Sequence, residues 1–109
     1  LRTAELLAKT GFTLVVLDLE GVRARELAQL GASIWTRLQR ALRESRATAL
    51  LLGTAPAAGS FSTLGLSTAR ERALFDTGLF EGLESRLDVL RNRAGPGEGE
   101  RRFSVYHRP

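Results

Sequence analysis

The sequence predicts an α/β fold in which parallel strands are flanked by helices and followed by a carboxy-terminal antiparallel hairpin. Two nearly continuous apolar runs, residues 12–18 and 48–53, indicate strands buried on both faces, as parallel strands between two helical layers are. A helical periodicity lies between these runs, and a period of two begins at Leu83. The alternation of helix and buried strand favours crossover units in a parallel sheet.

The first half of the chain supplies the helices. A helix is predicted over residues 3–9 with Gly11 at its carboxyl end, and a short one over residues 23–30. The clearest helix spans residues 32–45. Its apolar side is predicted to carry Ile34, Leu38, Ala41, Leu42 and Ser45, and its other side the arginines Arg37, Arg40 and Arg43.

The second half predicts a loop, a helix and a hairpin. Residues 55–67 are small and contain Gly and Ser, which favours a long loop that is either functional or disordered. Thr68 and Glu71 have the spacing of a capping box, so a short helix is predicted there, ended by Gly78 and Gly82. Alternating strands over residues 83–90 and 103–107 flank a Gly/Pro turn at residues 94–100.

Composition limits the class of protein. The chain has 109 residues, 43% hydrophobic and 26% charged, which is typical of one globular domain over residues 1–109. It contains no Cys, so disulfides and thiolate metal sites are excluded. No apolar run is long enough for a membrane span, and we expect a cytoplasmic protein. The chain starts at Leu1 and has no Met, from which we expect a fragment of a longer chain.

Residues 14–18 (Leu-Val-Val-Leu-Asp) have the form of a Walker B strand, with Asp18 at its carboxyl end. A carboxylate there can hold the water shell of Mg²⁺ beside a triphosphate. The alternative is that Asp18 ends the strand because turns favour Asp. No GxxxxGK[ST] occurs in the chain, so no phosphate loop is present to complete a nucleotide site. No catalytic residue, cofactor or metal ligand is therefore predicted, and the Asp18–Glu20 pair is interpreted as surface.

The basic residues predict binding surfaces. The net charge is +4, and arginines concentrate in the last quarter of the chain. Candidate DNA contacts are Arg101 and Arg102 for phosphates and Phe61 for base stacking. Candidate partner contacts are Arg37, Arg40 and Arg43 on the long helix, and Tyr106 and His107 on a hairpin edge. The alternative for all these arginines is a solvated surface.

Taken in order, these segments resemble the second half of a RecA core. The Walker B-like strand is followed by an arginine-bearing helix, by a strand ending near Thr54, by a loop, and by residues 84–88 (Glu-Ser-Arg-Leu-Asp). The resemblance implies a partial RecA-like domain in which Thr54 stands at the sensor position. RecA recombinases carry Gln at that position and Ser after the Walker B Asp, where this chain has Leu19. Their lysines that reach a neighbour's ATP would fall near residues 107–109, which contain none.

A degenerate, Arg-rich RecA relative of this size resembles the ImuA group, which is related more distantly to the SulA proteins. The resemblance implies a non-catalytic adaptor of the SOS response and of mutagenic translesion synthesis, with RecA and an ImuB-like polymerase component as partners. Two alternatives stay open. One is the half of a RecA-family ATPase whose P-loop lies upstream, and the other is a weak, nonspecific single-stranded DNA-binding module. Self-association is a further alternative, and no membrane partner is expected.

Overall fold

The structure is a computed structural model that describes residues 1–95 and the backbone of residues 99–106. It is a mixed α/β chain with a parallel pair of strands and an antiparallel sheet. The chain divides into two compact units, an amino-terminal unit (Leu1–Phe61) and a carboxy-terminal unit (Ser62–Pro109). The elements are α1 Arg2–Lys9, β1 Leu14–Asp18, α2 Ala24–Ala28, α3 Ala32–Ser45, β2 Thr48–Leu52, a 3-10 turn Gly59–Phe61, β3 Leu64–Asp76, β4 Leu79–Asn92 and β5 Gly99–Tyr106.

The amino-terminal unit contains the predicted strand–helix–strand arrangement. β1 and β2 pair in parallel, with Val16 opposite Leu50 and Asp18 opposite Leu52. α1 packs on α3 and on β1. Ala4 from α1, Val15 from β1, and Trp35 and Leu38 from α3 form the buried core. The predicted parallel strands separated by helices are thus confirmed for this unit.

The expectation that β1 and β2 are buried on both faces is wrong. Val15 is buried, whereas its neighbours Leu14 and Val16 are 54% and 50% exposed. Leu50 and Leu52 in β2 are also exposed. The helices of this unit bury only the Val15 side of the sheet, and alternate residues of a strand lie on opposite faces. An unbroken apolar run in a strand does not reveal whether helices cover the second face of the sheet.

The long helix α3 has the predicted bounds, Ala32–Ser45. Its carboxyl end is closed by Arg46, which adopts the left-handed conformation with φ 54°, and by the Ala47 N–H, which donates to the Leu42 carbonyl at 2.9 Å. The buried stripe differs from the predicted one, because Trp35 is buried. The buried positions are Trp35, Leu38 and Ala41, while Ile34, Leu42 and Ser45 are half-buried.

The helix predicted to begin at Thr68 is wrong, because this segment lies inside β3. β3 pairs with β4 in antiparallel register along nearly its whole length, for example Thr68 with Leu87 and Ala73 with Leu83. Cross-strand pairing overrides a local capping signal, because strand propensity depends on the neighbouring strand. β3 begins at Leu64, so the predicted loop over residues 55–67 is also too long at its carboxyl end.

Gly78 belongs to a tight turn, whereas Gly82 lies inside β4 and ends no helix. Asp76 pairs with Leu79, which leaves Thr77 and Gly78 as a two-residue turn with φ 45° and 82°. Positive φ at both positions is the geometry that joins antiparallel strands most directly.

The predicted carboxy-terminal hairpin is confirmed. β4 pairs with β5 in antiparallel register, with Leu83 opposite Val105 and Val89 opposite Gly99. Both strands extend beyond the predicted ranges towards their turn and, for β4, towards Leu79. The sheet has the order β3–β4–β5, so β5 is an edge strand within the part of the chain that the structure describes.

Candidate functional site

The carboxyl ends of β1 and β2 carry the two residues predicted to stand near a nucleotide. Asp18 is the last residue of β1, and Thr54 follows the last residue of β2 by two positions. The two strands are parallel and in register, so these ends meet at one edge of the sheet. The Leu19 N–H extends the pairing by donating to the Leu52 carbonyl at 2.8 Å. The edge where α/β proteins bind ligands therefore holds the Asp18 carboxylate, and the chain leaves β2 towards Thr54 from the same edge.

The contacts of Asp18 match those of a turn residue. Its Oδ1 accepts a hydrogen bond from the Glu20 N–H at 2.9 Å, which closes a local side-chain turn. The side chains of Asp18 and Glu20 are both exposed. In the described part of the chain, no cluster of three acidic or histidine side chains is suited to a metal ion. The hydrogen bond from the Glu20 N–H thus supports the alternative that Asp18 ends the strand as a turn residue.

One of the three α3 arginines predicted to bind partners forms an ion pair with α1. Arg37 Nη2 donates to Glu5 Oε2 at 2.8 Å, linking α3 to α1. Arg40 and Arg43 are exposed and make no ion pair with any residue that the structure describes. Arg37 therefore links α3 to α1 inside the unit, and Arg40 and Arg43 are the two predicted partner contacts of α3 that are exposed without such a link.

Glu5 is the acceptor that joins these helices. It accepts from Lys9 Nζ at 3.2 Å on its own helix and from Arg37 on α3. The hydrogen bond from Lys9, together with the charges of Arg37 and Lys9, lowers the pKa of the Glu5 carboxyl below its ordinary value. The ionised form of Glu5 is thus favoured in the folded chain.

A shallow depression lies beside this ion pair. Its volume is about 190 Å³, which is below the ~300–1,000 Å³ of ordinary small-molecule sites. Arginines and a glutamate at its rim are mixed with aliphatic side chains. The lining residues are Leu1, Arg2, Glu5, Leu30, Ile34 and Arg37. The depression is too small and too open to define a substrate site.

Phe61, predicted to stack on bases, is half-buried at the end of the 3-10 turn and packs against the hydrophobic core. Its carbonyl accepts a hydrogen bond from Gln39 Nε2 of α3. This contact anchors the loop after β2 to the helix layer. A stacking role for Phe61 therefore competes with a structural one.

The remaining candidates lie on or after β5. Arg101 and Arg102 occupy register positions opposite Leu87 and Arg86 of β4, and Tyr106 is opposite Gly82. His107 lies outside the described residues. The strand was predicted over residues 103–107, whereas β5 begins at Gly99 and therefore includes Arg101 and Arg102. The register adds that Arg102 and Arg86 are cross-strand neighbours.

Residues 84–88, on which the family resemblance depends most, form the middle of β4. Arg86 Nε donates to Asp88 Oδ2 at 3.2 Å, and its guanidinium lies 3.8 Å from a Glu71 carboxylate oxygen on β3. Glu84 accepts two hydrogen bonds from Arg72, at 2.9 and 3.0 Å. The charged residues of this segment thus stabilise the pairing of β3 with β4. Because a helix was predicted to begin at Thr68, the sequence did not reveal that Glu71 and Arg72 lie on a strand beside β4.

No protein-family model matches the chain, and no curated protein is significantly similar to it. None of the helices in the described residues is long and apolar enough to span a membrane. The candidate surfaces are the carboxyl edge of β1 and β2, the exposed arginines of α3 and the edge of β5 that no described strand pairs with.

Proposed function

We propose that this chain is a non-catalytic RecA-like adaptor in bacterial DNA-damage-induced mutagenesis, which binds RecA and a translesion polymerase component in the cytoplasm. The observation that supports the proposal is a parallel β1–α3–β2 unit in which Asp18 ends β1 and Thr54 follows β2 by two residues, in a chain without a phosphate loop. In α/β proteins ligands bind at the carboxyl edge of such strands, and a sequence without the phosphate loop lacks the amides that hold phosphates.

The non-catalytic part of the proposal depends on the surroundings of Asp18. A Walker B carboxylate acts on Mg²⁺ together with the phosphate loop and its Ser or Thr. Here Asp18 Oδ1 is used by the Glu20 amide, and the carboxylate is exposed to solvent. We expect no binding of Mg·ATP by isothermal titration at micromolar concentrations. A submicromolar dissociation constant would favour the ATPase alternative.

The adaptor part of the proposal depends on two surfaces. Arg40 and Arg43 lie on successive turns of α3 and have no ion partner among the described residues. The outer edge of β5 has backbone N–H and C=O groups that β4 does not use, and a partner strand can complete them. Charge on a helix face steers association, and an edge supplies backbone hydrogen bonds.

The adaptor function is tested by pull-down of purified RecA and ImuB with the full chain. We expect Arg40→Glu/Arg43→Glu to weaken capture of at least one of them roughly tenfold or more, because two charges are reversed on the docking face. A matched control is Arg25→Glu/Arg70→Glu, which reverses two exposed arginines elsewhere and should bind as the parent does. Arg37 is left intact, because its substitution would break the link to Glu5.

One outcome would contradict the adaptor proposal, and another would contradict the α3 docking surface. The first is a parent chain that captures neither protein. The second is equal capture by the α3 variant and the parent, which would remove the helix face from the docking surface. Circular dichroism of each variant shows whether its helix content is kept.

A further inference from the structure

One face of the β1–β2 sheet is apolar and exposed. Val16 and Leu50 are register partners, Leu14 and Leu52 lie on the same side two positions away along each strand, and Phe12 precedes them. Their exposed fractions lie between 45% and 55%. These five residues (Phe12, Leu14, Val16, Leu50 and Leu52) are called the open face below. A contiguous apolar surface of this kind marks an interaction site more often than isolated exposed apolar residues do.

The sheet itself is incomplete as a parallel sheet. It has two strands, and the helices of residues 1–61 cover only the Val15 side. Parallel sheets occur with both faces covered, because their strands are apolar on both sides. The open face is the uncovered side of such a sheet.

The two ends of the β1–β2 sheet carry opposite charges. Asp18 ends β1 and Glu20 follows it by two residues, while Arg46, which closes α3, precedes the first residue of β2 by two positions. All three residues are exposed, and none forms an ion pair with a residue that the structure describes. An apolar surface with an acidic end and a basic end is complementary to a copy of itself turned end for end.

We propose that the open face is covered by a second copy of this chain, in a dimer with two-fold symmetry. The axis lies between the two sheets and runs across the strands, so the strands of the copies stack in opposite directions about 10 Å apart. Each acidic end then lies over the Arg46 end of the other copy. The two-fold arrangement pairs an acidic end with an Arg46 end at two symmetric places. Binding of an unrelated partner would require neither of these charges.

The size of the open face sets the expected affinity. Five half-exposed side chains offer less area than the ~800 Å² per subunit of standard interfaces. We therefore expect a weak dimer with a dissociation constant of roughly 1–100 μM. This inference is independent of the adaptor function, since it uses neither α3 arginines nor β5.

Sedimentation velocity of the full chain from about 1 to 500 μM tests the dimer over that range. We expect a concentration-dependent shift from monomer to dimer, and loss of the dimer in Val16→Lys. The matched control is Leu6→Lys, which places the same charge on an exposed leucine of α1 away from the open face and should keep the dimer. Leu14→Lys serves as a second open-face variant if Val16→Lys loses its circular dichroism signal.

A charge exchange separates this arrangement from unspecific apolar association. Each of Glu20→Arg and Arg46→Glu should weaken the dimer roughly tenfold, because each brings like charges together at two symmetric places. The double variant should recover most of the parent's affinity. A chain that remains monomeric at 500 μM (about five times the weakest expected constant), or a dimer that Val16→Lys leaves intact, overturns the proposal. Failure of the double variant to recover overturns the end-for-end arrangement.

Discussion

Residues 1–61 and residues 62–95 are stabilised in different ways. The amino-terminal unit buries Trp35, Leu38, Val15 and Ala4 between its helices and one face of its sheet. Between residues 62 and 95 the only buried residue is Gly82, and the strands present their side chains half-buried or exposed. One region depends on removing apolar surface from water, and the other on strand register.

This difference teaches where each region is sensitive to substitution. A buried side chain contributes its transfer from water and the packing around it, so its loss is costly. Exposed ion pairs such as Arg72–Glu84 contribute about 0–1 kcal/mol each. The antiparallel sheet therefore depends on its turns and on many small cross-strand terms, and no single side chain should dominate its stability.

The largest expected effect is in the core. Trp35→Ala should reduce the free energy of unfolding of the amino-terminal unit by about 3–5 kcal/mol, because it leaves a cavity beneath α3. The comparison variant is Leu66→Ala in β3, where the side chain is 47% exposed and the loss should be about 1 kcal/mol or less. Urea unfolding followed by far-UV circular dichroism measures both. Equal losses would contradict the contrast between the regions.

A smaller effect, of opposite sign, is expected at the β3–β4 turn. Thr77 has φ 45°, which a β-branched residue adopts with strain. Asn tolerates this conformation and, before Gly78, forms the favoured hairpin dipeptide, so Thr77→Asn should stabilise the hairpin by about 1 kcal/mol. Amide hydrogen exchange in β3 and β4 measures the gain. Thr68→Asn, inside β3, is the control and should give no gain; slower exchange there as well would mean that turn strain is not the cause.

The smallest effect concerns the Glu5 link between α1 and α3. Because its pKa is lowered in the folded chain, Glu5 adds stability above the ordinary carboxyl pKa, and this contribution is lost as pH falls through the folded value. Glu5→Gln should therefore melt below the parent at neutral pH, and the two should converge once the pH falls below the lowered pKa of Glu5. A melting difference that is independent of pH would show that the carboxylate charge is not responsible.

Apolar runs and periodicities that extend over several residues predicted most elements of the fold. β1, β2 and α3 follow from apolar runs and a helical period, and the β4–β5 hairpin follows from alternation on either side of a Gly/Pro turn. β3 was missed because Thr68 and Glu71 mimic a helix start. The turn at Thr77 and Gly78, which fits a two-residue hairpin, was the signal that could have identified it.

The sequence also predicted that Asp18 ends the first of two parallel strands, and the register places it opposite Leu52, the last residue of β2. It could not predict that Asp18 binds the Glu20 amide or that Arg37 binds Glu5, because both depend on local geometry and on the packing of α1 against α3. For the same reason it placed Arg37 with Arg40 and Arg43 on one binding face.

By itself the sequence determined the elements whose periodicity is strong, the parallel pairing of β1 with β2 and the lack of a phosphate loop in these 109 residues. Tertiary structure alone decided that β3 is a strand and that one face of the β1–β2 sheet is open. The physical reason is that periodicity records which residues are apolar, a property of the chain. Pairing and coverage depend on which other element lies alongside, and no local pattern contains that partner.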